Sequence, residues 1–445
     1  MRTIHAFARN IHVPTQMLAS YWKSGISILA AVIIGKLISL IWKLYLARLG
    51  PSSLGLVEIT MTVLFSLGSL SLLGFHTALI RFVTIATVKN ATQTARALLN
   101  VVLRISLSLA LCIIAFFLLF PHALPVLFSA SSNQLAQIQR YLWIVPFISL
   151  TEVFWSYLAS IKHMSEYALA KYIAPPSFRL IALITLIVIG ARVDMSLIIH
   201  PVIAALLAFL LSLAFMKNHL TQIIPLTKQQ LIGFISFAVP MNGSFILFVL
   251  YEALDTILVA RYLGTKDIGL LSALVLIADV PNALFVPLLD IFQAHMGKAH
   301  ASIRKGALFL TTNSIIFFVT AIGMCSVLFI LRHDIVRIFL GNEYSYIIPF
   351  VGMFLFLTAI KTSIILPVRH FLDFYGYVRT TLFLMAFSLI VKGGIGIYAI
   401  PRFGLLGVIY MQIGATFIHL LGCLIAALWV TLTSDQHRVH KLMRS

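Results

Sequence analysis

Apolar runs long enough to cross a bilayer recur along almost the whole 445-residue chain. About 20 apolar residues span the hydrocarbon core as a helix. By that ruler there are twelve candidates, at 24–48, 54–76, 99–120, 139–161, 176–191, 196–216, 231–261, 268–292, 307–331, 347–367, 380–400 and 404–432. Lipid offers backbone groups no hydrogen-bond partner, so continuous runs of this length predict helices and not a barrel. Charged residues make up only 10% of the chain and hydrophobic ones 61%, against about 25% charged in a soluble domain. A soluble enzyme and a disordered chain are therefore excluded, and twelve spans leave no room for a sizeable extramembrane domain. Cys112, Cys325 and Cys423 each sit inside an apolar run and read as small buried hydrophobes. The residues before the first run lack an apolar core followed by a small-residue cleavage site. That run is expected to be an uncleaved anchor.

The charges that remain lean basic, with Lys+Arg 32 against Asp+Glu 13 and a net charge of +19. Cytoplasmic loops of membrane proteins carry an excess of Lys and Arg. With the N-terminus inside, the outer side holds only Arg48, Arg140, Arg192, Arg261, Lys266, Arg332, Arg337 and Arg402. Lys36, Lys43, Lys361 and Lys392 fall within spans, and all other basic residues crowd the inner side. Both termini are thus expected in the cytoplasm. The basic balance is mostly a signal of topology and gives no support for a nucleic acid partner.

The chain also repeats itself. The segment from Leu44 to Leu56 reads Ala-Arg-Leu-Gly, four residues, then Gly-Leu. Ala260-Arg261-Tyr262-Leu263-Gly264 and Gly269-Leu270 repeat that spacing at the equivalent outer turn. Glycine there allows the positive φ and close backbone approach of a tight interhelical turn. Six spans per half is an even number, so both copies face the same way, as in a parallel repeat about an axis along the membrane normal. The expected organisation is a cytoplasmic segment 1–23, an N-lobe 24–216, a polar cytoplasmic connector 217–230, a C-lobe 231–432 and a cytoplasmic tail 433–445. The fold class expected is all-α and polytopic, with about twelve transmembrane helices in two six-helix lobes around a central cavity.

With "LARLGPSSLGL" after the first span, "LGFHTALIRFV" at 73–83 and "PMNGSFILFVLYEALDTILVARYLGTKDIGLLSA" at 240–273, the chain resembles the multidrug/oligosaccharidyl-lipid/polysaccharide (MOP) exporter superfamily. Within it the pattern is similar to the lipid-linked oligosaccharide flippases of O-antigen type. The resemblance implies two six-helix lobes with the first and seventh spans bordering the cavity. It also implies movement of an undecaprenyl-pyrophosphate-linked glycan from the inner to the outer leaflet, for surface polysaccharide synthesis. The peptidoglycan-precursor branch usually has cavity arginines in its first span and fourteen spans; this chain has lysines there and twelve.

Deep charges carry the chemistry, because ionisable groups within a bilayer are costly and usually face a cavity or a partner. Lys36 and Lys392 stand about a dozen residues, roughly 18 Å of helix, inside their spans and are expected at the pyrophosphate, unless each pairs with a buried acid. Lys43, seven residues after Lys36, is a further candidate, but the hairpin at 50–54 sets it level with Glu58 and an ion pair there is the plainer reading. Lys361 lies about six residues from the inner end of its expected span and either meets substrate or reaches water by extending along the helix. Arg104, Arg140 and Arg179 begin or nearly begin their spans and are expected to reach water. The acids Asp279, Glu252, Asp255 and Glu152 are candidates for carrying a coupling ion, or for neutralising those lysines. Asp290 shares a face with Asp279, and Pro240, Pro281 and Pro287 mark candidate hinges. No Walker loop and no metal-ligand spacing occurs, and His76, His200, His295 and His419 are scattered packing candidates. No cofactor is expected beyond a proton or sodium gradient.

Three readings compete. A flippase accounts for the repeat, the deep lysines and the resemblance; its partners would be the lipid-linked oligosaccharide, the bilayer, and the polymerase and glycosyltransferases of the same route. A multidrug or cation antiporter shares the fold but should favour acids in the N-lobe. A polytopic glycan polymerase or ligase needs outer residues to grip its substrate, and the longest outer loop, 121–138, has no Lys, Arg, Asp or Glu. A transporter, not an enzyme, is expected.

Overall fold

A computed structural model describes residues 15–128, 138–220, 226–299 and 303–433. Among the described residues all regular structure is helical. The first half contains α1 (Thr15–Arg48), α2 (Pro51–Leu72), α3 (Phe75–Val88), α4 (Thr92–Leu119), α5 (Leu142–Ser160), α6 (Met164–Val188) and α7 (Val193–Met216). The second half contains α8 (Lys228–Tyr262), α9 (Thr265–Ala299), α10 (Ile303–Ile330), α11 (Asn342–Phe374), α12 (Val378–Phe403) and α13 (Leu405–Thr433). Eleven of the helices among the described residues are long and apolar enough to cross a membrane. The expected run 268–292 lies within unbroken α9, whose first turn carries Lys266 and Asp267 and whose middle carries Asp279.

Two expected boundaries move, for a common physical reason. The run expected at 176–191 starts instead at Met164, because the helix passes through Pro175 and Pro176. Just before them, Leu169–Ile173 forms a wider π turn, and such a turn re-registers the ladder where proline supplies no N–H. The run expected at 347–367 likewise continues through Pro367 to Phe374 after a π turn at Lys361–Ile365. The second run does the opposite and breaks before 76. Leu73 and Gly74 take left-handed φ of 43° and 73°, which divides α2 from α3 within the "LGFHTALIRFV" segment. Pro240, Pro281 and Pro287, marked as hinges, all lie in unbroken helix. A helix in lipid keeps its remaining ladder even where proline removes one bond.

The repeated glycines have two separate jobs. Gly50 and Gly264 hold φ of 104° and 115° at equivalent turns, a conformation glycine adopts without the Cβ penalty. Gly55 and Gly269, five residues on, bring α2 and α9 together backbone to backbone. A Cβ on Gly55 would collide with the carbonyl of Thr265, and one on Gly269 with the carbonyl of Pro51. Pro51 and Thr265 are themselves equivalent positions, so the contact is symmetric. α2 and α9 form the most extensive packing between the halves. The seam is closed further where the Arg48 guanidinium donates to the Ile338 carbonyl. One large apolar core, including Trp42, Leu46, Val57, Leu64, Val259 and Leu271, runs across it. At the opposite, Lys/Arg-rich end, Phe234 of α8 packs against Phe75 and Phe82 of α3.

Candidate functional site

α1 and α6 run in register beside each other. Gly35 lies so close to the Tyr172 carbonyl that a Cβ could not be accommodated. Seven residues further along each helix, the Arg179 guanidinium sits 5.6 Å from the Trp42 ring. Gly35 fixes this face of α1 against α6 and leaves Lys36, a third of a turn round, exposed. Lys36 has no partner among the described residues. Lys43, seven residues on, shares its face, and that face meets the seam: Lys43 Nζ lies 3.3 Å from Glu58 Oε2. Ser272 Oγ of the other half donates to the same oxygen at 3.1 Å. Lys43 is thus committed to Glu58, and Lys36 lies two turns nearer the Lys/Arg-rich end on the side where the halves meet.

The second half gathers the other two lysines around Tyr251. Lys392 is 1% exposed. Its Nζ lies 2.9 Å from Asp255 Oδ1, donates to the Tyr251 carbonyl at 2.7 Å and stands 3.9 Å from the Tyr251 ring. Gln412 donates to the other Asp255 oxygen. Burial of a charge is tolerated when it is paired and hydrogen-bonded; the ammonium has an ion-pair partner and a carbonyl acceptor inside the protein, although Asp255 Oδ1 accepts no hydrogen bond. The pair with a buried acid, one of the two readings open for Lys392, is present as Lys392–Asp255. Lys361 Nζ stands 5.5 Å from the centroid of the same ring, within the electrostatic field of Glu252, Asp255 and Asp279. Because α11 runs on to Phe374, Lys361 is near mid-helix and the expected route to water along a short helix end is absent. Asp279 accepts from Asn282 Nδ2 at 2.8 Å. Glu252 is exposed although it lies well inside its span. The side chain of Asp290 is outside the described residues.

In the first half, Glu152 lines a small cavity together with Phe65, Thr151, Trp155, Pro175 and Arg179. Arg179, expected at a helix start and free to reach water, is instead mid-helix, because α6 begins at Met164. Its guanidinium lies 5.6 Å and 5.2 Å from the rings of Trp42 and Phe65. Trp42 cannot turn away, since it is 1% exposed and donates to His200 Nε2 at 3.2 Å. His200 in turn donates from Nδ1 to the Ser196 carbonyl at 2.9 Å, which makes it a packing histidine in its neutral tautomer. No group of three or more metal-ligating residues occurs among the described residues.

Among the described residues, Lys43 and Lys392 form ion pairs with acids, while Lys36, Lys361 and Arg179 form none. Sequence reasoning missed Arg179 because Pro175-Pro176 reads as a helix start. The available signal was the run of apolar and aromatic residues continuing upstream from Tyr167 to Ala174.

Comparisons with known proteins agree with this geometry at the level of fold. A family model described as polysaccharide biosynthesis protein matches residues 21–292. Among solved structures, a multidrug resistance MATE family transporter of the MOP superfamily in an inward-facing conformation is 14% identical, with TM-score 0.73, covering 95% of this chain and 99% of that one. An outward-facing conformation of a MATE family transporter of that superfamily is 14% identical, with TM-score 0.67, over 95% and 97% of the two chains. A MOP superfamily transporter from Pyrococcus furiosus, described as having a binding pocket of reverse polarity that suggests a different function, is 14% identical over 95% and 97%, with TM-score 0.66. A search of curated proteins found no match.

Proposed function

The chain belongs to the polysaccharide biosynthesis protein family and has the fold of MOP-superfamily transporters, and from that premise we propose that it is a flippase for a polyprenyl-pyrophosphate-linked oligosaccharide. In this reading the two halves alternate access to a central cleft and carry the head group from the cytoplasmic to the outer leaflet, serving surface polysaccharide synthesis. The glycan and pyrophosphate cannot cross hydrocarbon, while the polyprenyl tail need never leave it. The observation that carries the reading is Lys36: an exposed ammonium at mid-depth, on the face of α1 that meets the seam, with no carboxylate matched to it among the described residues. A lone cation held in low dielectric favours an anionic visitor, and pyrophosphate is the anion this family's route supplies.

Lys36→Ala should abolish export of surface glycan and leave lipid-linked oligosaccharide on the inner leaflet, with normal protein level in the membrane. Normal surface glycan in that variant would refute the assignment. A cation antiporter is the second reading, favoured by the exposed carboxylate of Glu252 within its span. It predicts drug or cation efflux lost in Glu252→Gln, with glycan export untouched. If the flippase is driven by an ion gradient, Glu252, which is exposed and forms no ion pair among the described residues, is the acid best placed to exchange the ion. Glycan export that continues undiminished under an uncoupler would remove that element.

A further inference from the structure

A groove on the flank of the second half lies away from the seam. α10 from Ala307 to Phe318, α11 from Ile364 to Phe371 and α13 from Leu424 to Thr431 enclose a cavity of about 310 Å³. α10 and α13 take their main packing partners from the second half, so the groove does not belong to the cleft between the halves. Its walls are almost wholly apolar. Thr311 and Thr431 donate their hydroxyls to the Ala307 and Ala427 carbonyls of their own helices. The Ser314 hydroxyl has no partner, but a serine in a helix can turn onto a carbonyl one turn back. Apolar cavities of this kind do not hold water. From Ala307 to Phe318 the groove follows about 16 Å of helix. The volume then corresponds to a bore of about 19 Å², the width of one extended hydrocarbon chain.

We propose that this groove seats one straight acyl chain of an anionic phospholipid from the leaflet at the Lys/Arg-rich end of the molecule. Ala307, Phe371 and Thr431 each lie within four residues of an end of their helices, which puts the mouth of the groove at that end. Trp429 packs edge-on against Tyr377 beside it, with ring centroids 6.0 Å apart, and tryptophan and tyrosine mark the level of the head groups. Arg304 and Lys305 fall in the first turn of α10, directly before Ala307, and the exposed Arg379 in the first turn of α12. A lipid phosphate at the level of Thr431 thus meets a basic rim, the charge pattern that selects anionic lipids at this face of a membrane. The polyprenyl tail of the cargo fits less well. It is methyl-branched along its length and so wider than the bore, and it must travel with its head group, whereas this groove is confined to one half. Once filled, the groove ties α10 to α11 and α13 through dispersion contacts that its empty walls lack. The lipid is then a structural part of the second half.

The site does not depend on what the protein transports. Purified, delipidated full-length protein in detergent is titrated with phosphatidylglycerol, with phosphatidylethanolamine of the same acyl chains and with undecaprenyl phosphate. Bound lipid is read by native mass spectrometry, and the thermal midpoint is followed in parallel. Phosphatidylglycerol should bind saturably at one site and raise the midpoint. Phosphatidylethanolamine should bind roughly fivefold more weakly for each basic residue that meets the head group, and Arg379→Gln should narrow the preference by about that factor. Ala427→Phe and Ala307→Phe place a ring in the groove from opposite walls. Each should remove the tightly bound lipid and the midpoint rise while keeping or raising the lipid-free midpoint, because the ring occupies the void; either alone suffices where the other does not fold. Leu308→Phe, at a 71% exposed position of α10 outside the groove, should leave lipid binding unchanged. Tight binding that survives both ring variants overturns the groove as the site. Displacement of phosphatidylglycerol by undecaprenyl phosphate, lost in the ring variants, overturns the bilayer-lipid assignment in favour of the cargo's tail. Equal binding of the two phospholipids overturns the basic rim.

Discussion

At the scale of single residues, the deep charges sort by whether the protein itself completes them. Lys392 is closed in by Asp255, the Tyr251 carbonyl and the Tyr251 ring. Removing only the cation leaves a buried carboxylate without compensation. Lys392→Ala should therefore cost about 3–5 kcal/mol, seen as a large fall in the thermal midpoint of the detergent-solubilised protein. Lys392→Met combined with Asp255→Asn should recover most of it, because no charge is then left unmatched and the new amide oxygen would still accept from Gln412. A double variant as unstable as the single would show that the pair is held for another reason. The depth of Lys392 was legible from its position in an apolar run, but its partner was not, since nothing local links residues on separate helices so far apart in the chain. Lys43 and Glu58 were legible as a pair because one hairpin sets them level. Arg179 was hidden by two prolines that the helix absorbs.

At the scale of helices, the repeat was readable and its mechanics were only half readable. Composition and spacing pointed to glycine for a turn or a close approach without saying which glycine does which. The structure divides the work: Gly50 and Gly264 take positive φ, and Gly55 and Gly269 admit a neighbouring backbone. Gly55→Ala or Gly269→Ala should destabilise by at least about 1–3 kcal/mol, the usual range for overpacking, because the obstacle is backbone and cannot rotate aside. Gly394→Ala is the contrasting case. Its added methyl meets nothing, and the change should stabilise α12 by about 0.5–1 kcal/mol. Thermal midpoints of the three variants in one detergent would check both signs. The π turns at 169–173 and 361–365 were beyond reach of periodicity, since one extra residue in a turn shifts a pattern by less than the irregularity of an apolar run.

At the scale of the whole molecule, the seam between α2 and α9 is where alternating access would have to open. Glu58 is held from both sides of it, by Lys43 in its own half and Ser272 in the other. Glu58→Gln keeps the shape of the side chain while removing its charge, so it should loosen this end without unfolding the protein. The measurement is the reactivity of Lys36→Cys toward a membrane-impermeant thiol reagent added on the side where α2 begins. It should rise in the Glu58→Gln background, and unchanged labelling would show that the glycine contact alone keeps the seam shut.

That glycine contact has one more implication. Residue 55 meets residue 265 while residue 269 meets residue 51, which is the reciprocal pattern of a two-fold interface between identical subunits. The chain thus contains, within one polypeptide, the contact of a homodimer. Two identical subunits would have to place the same charges on both sides of their axis. Joined in one chain they are free to differ, and they do: one half holds an arginine between aromatic rings, and the other a lysine locked to an aspartate.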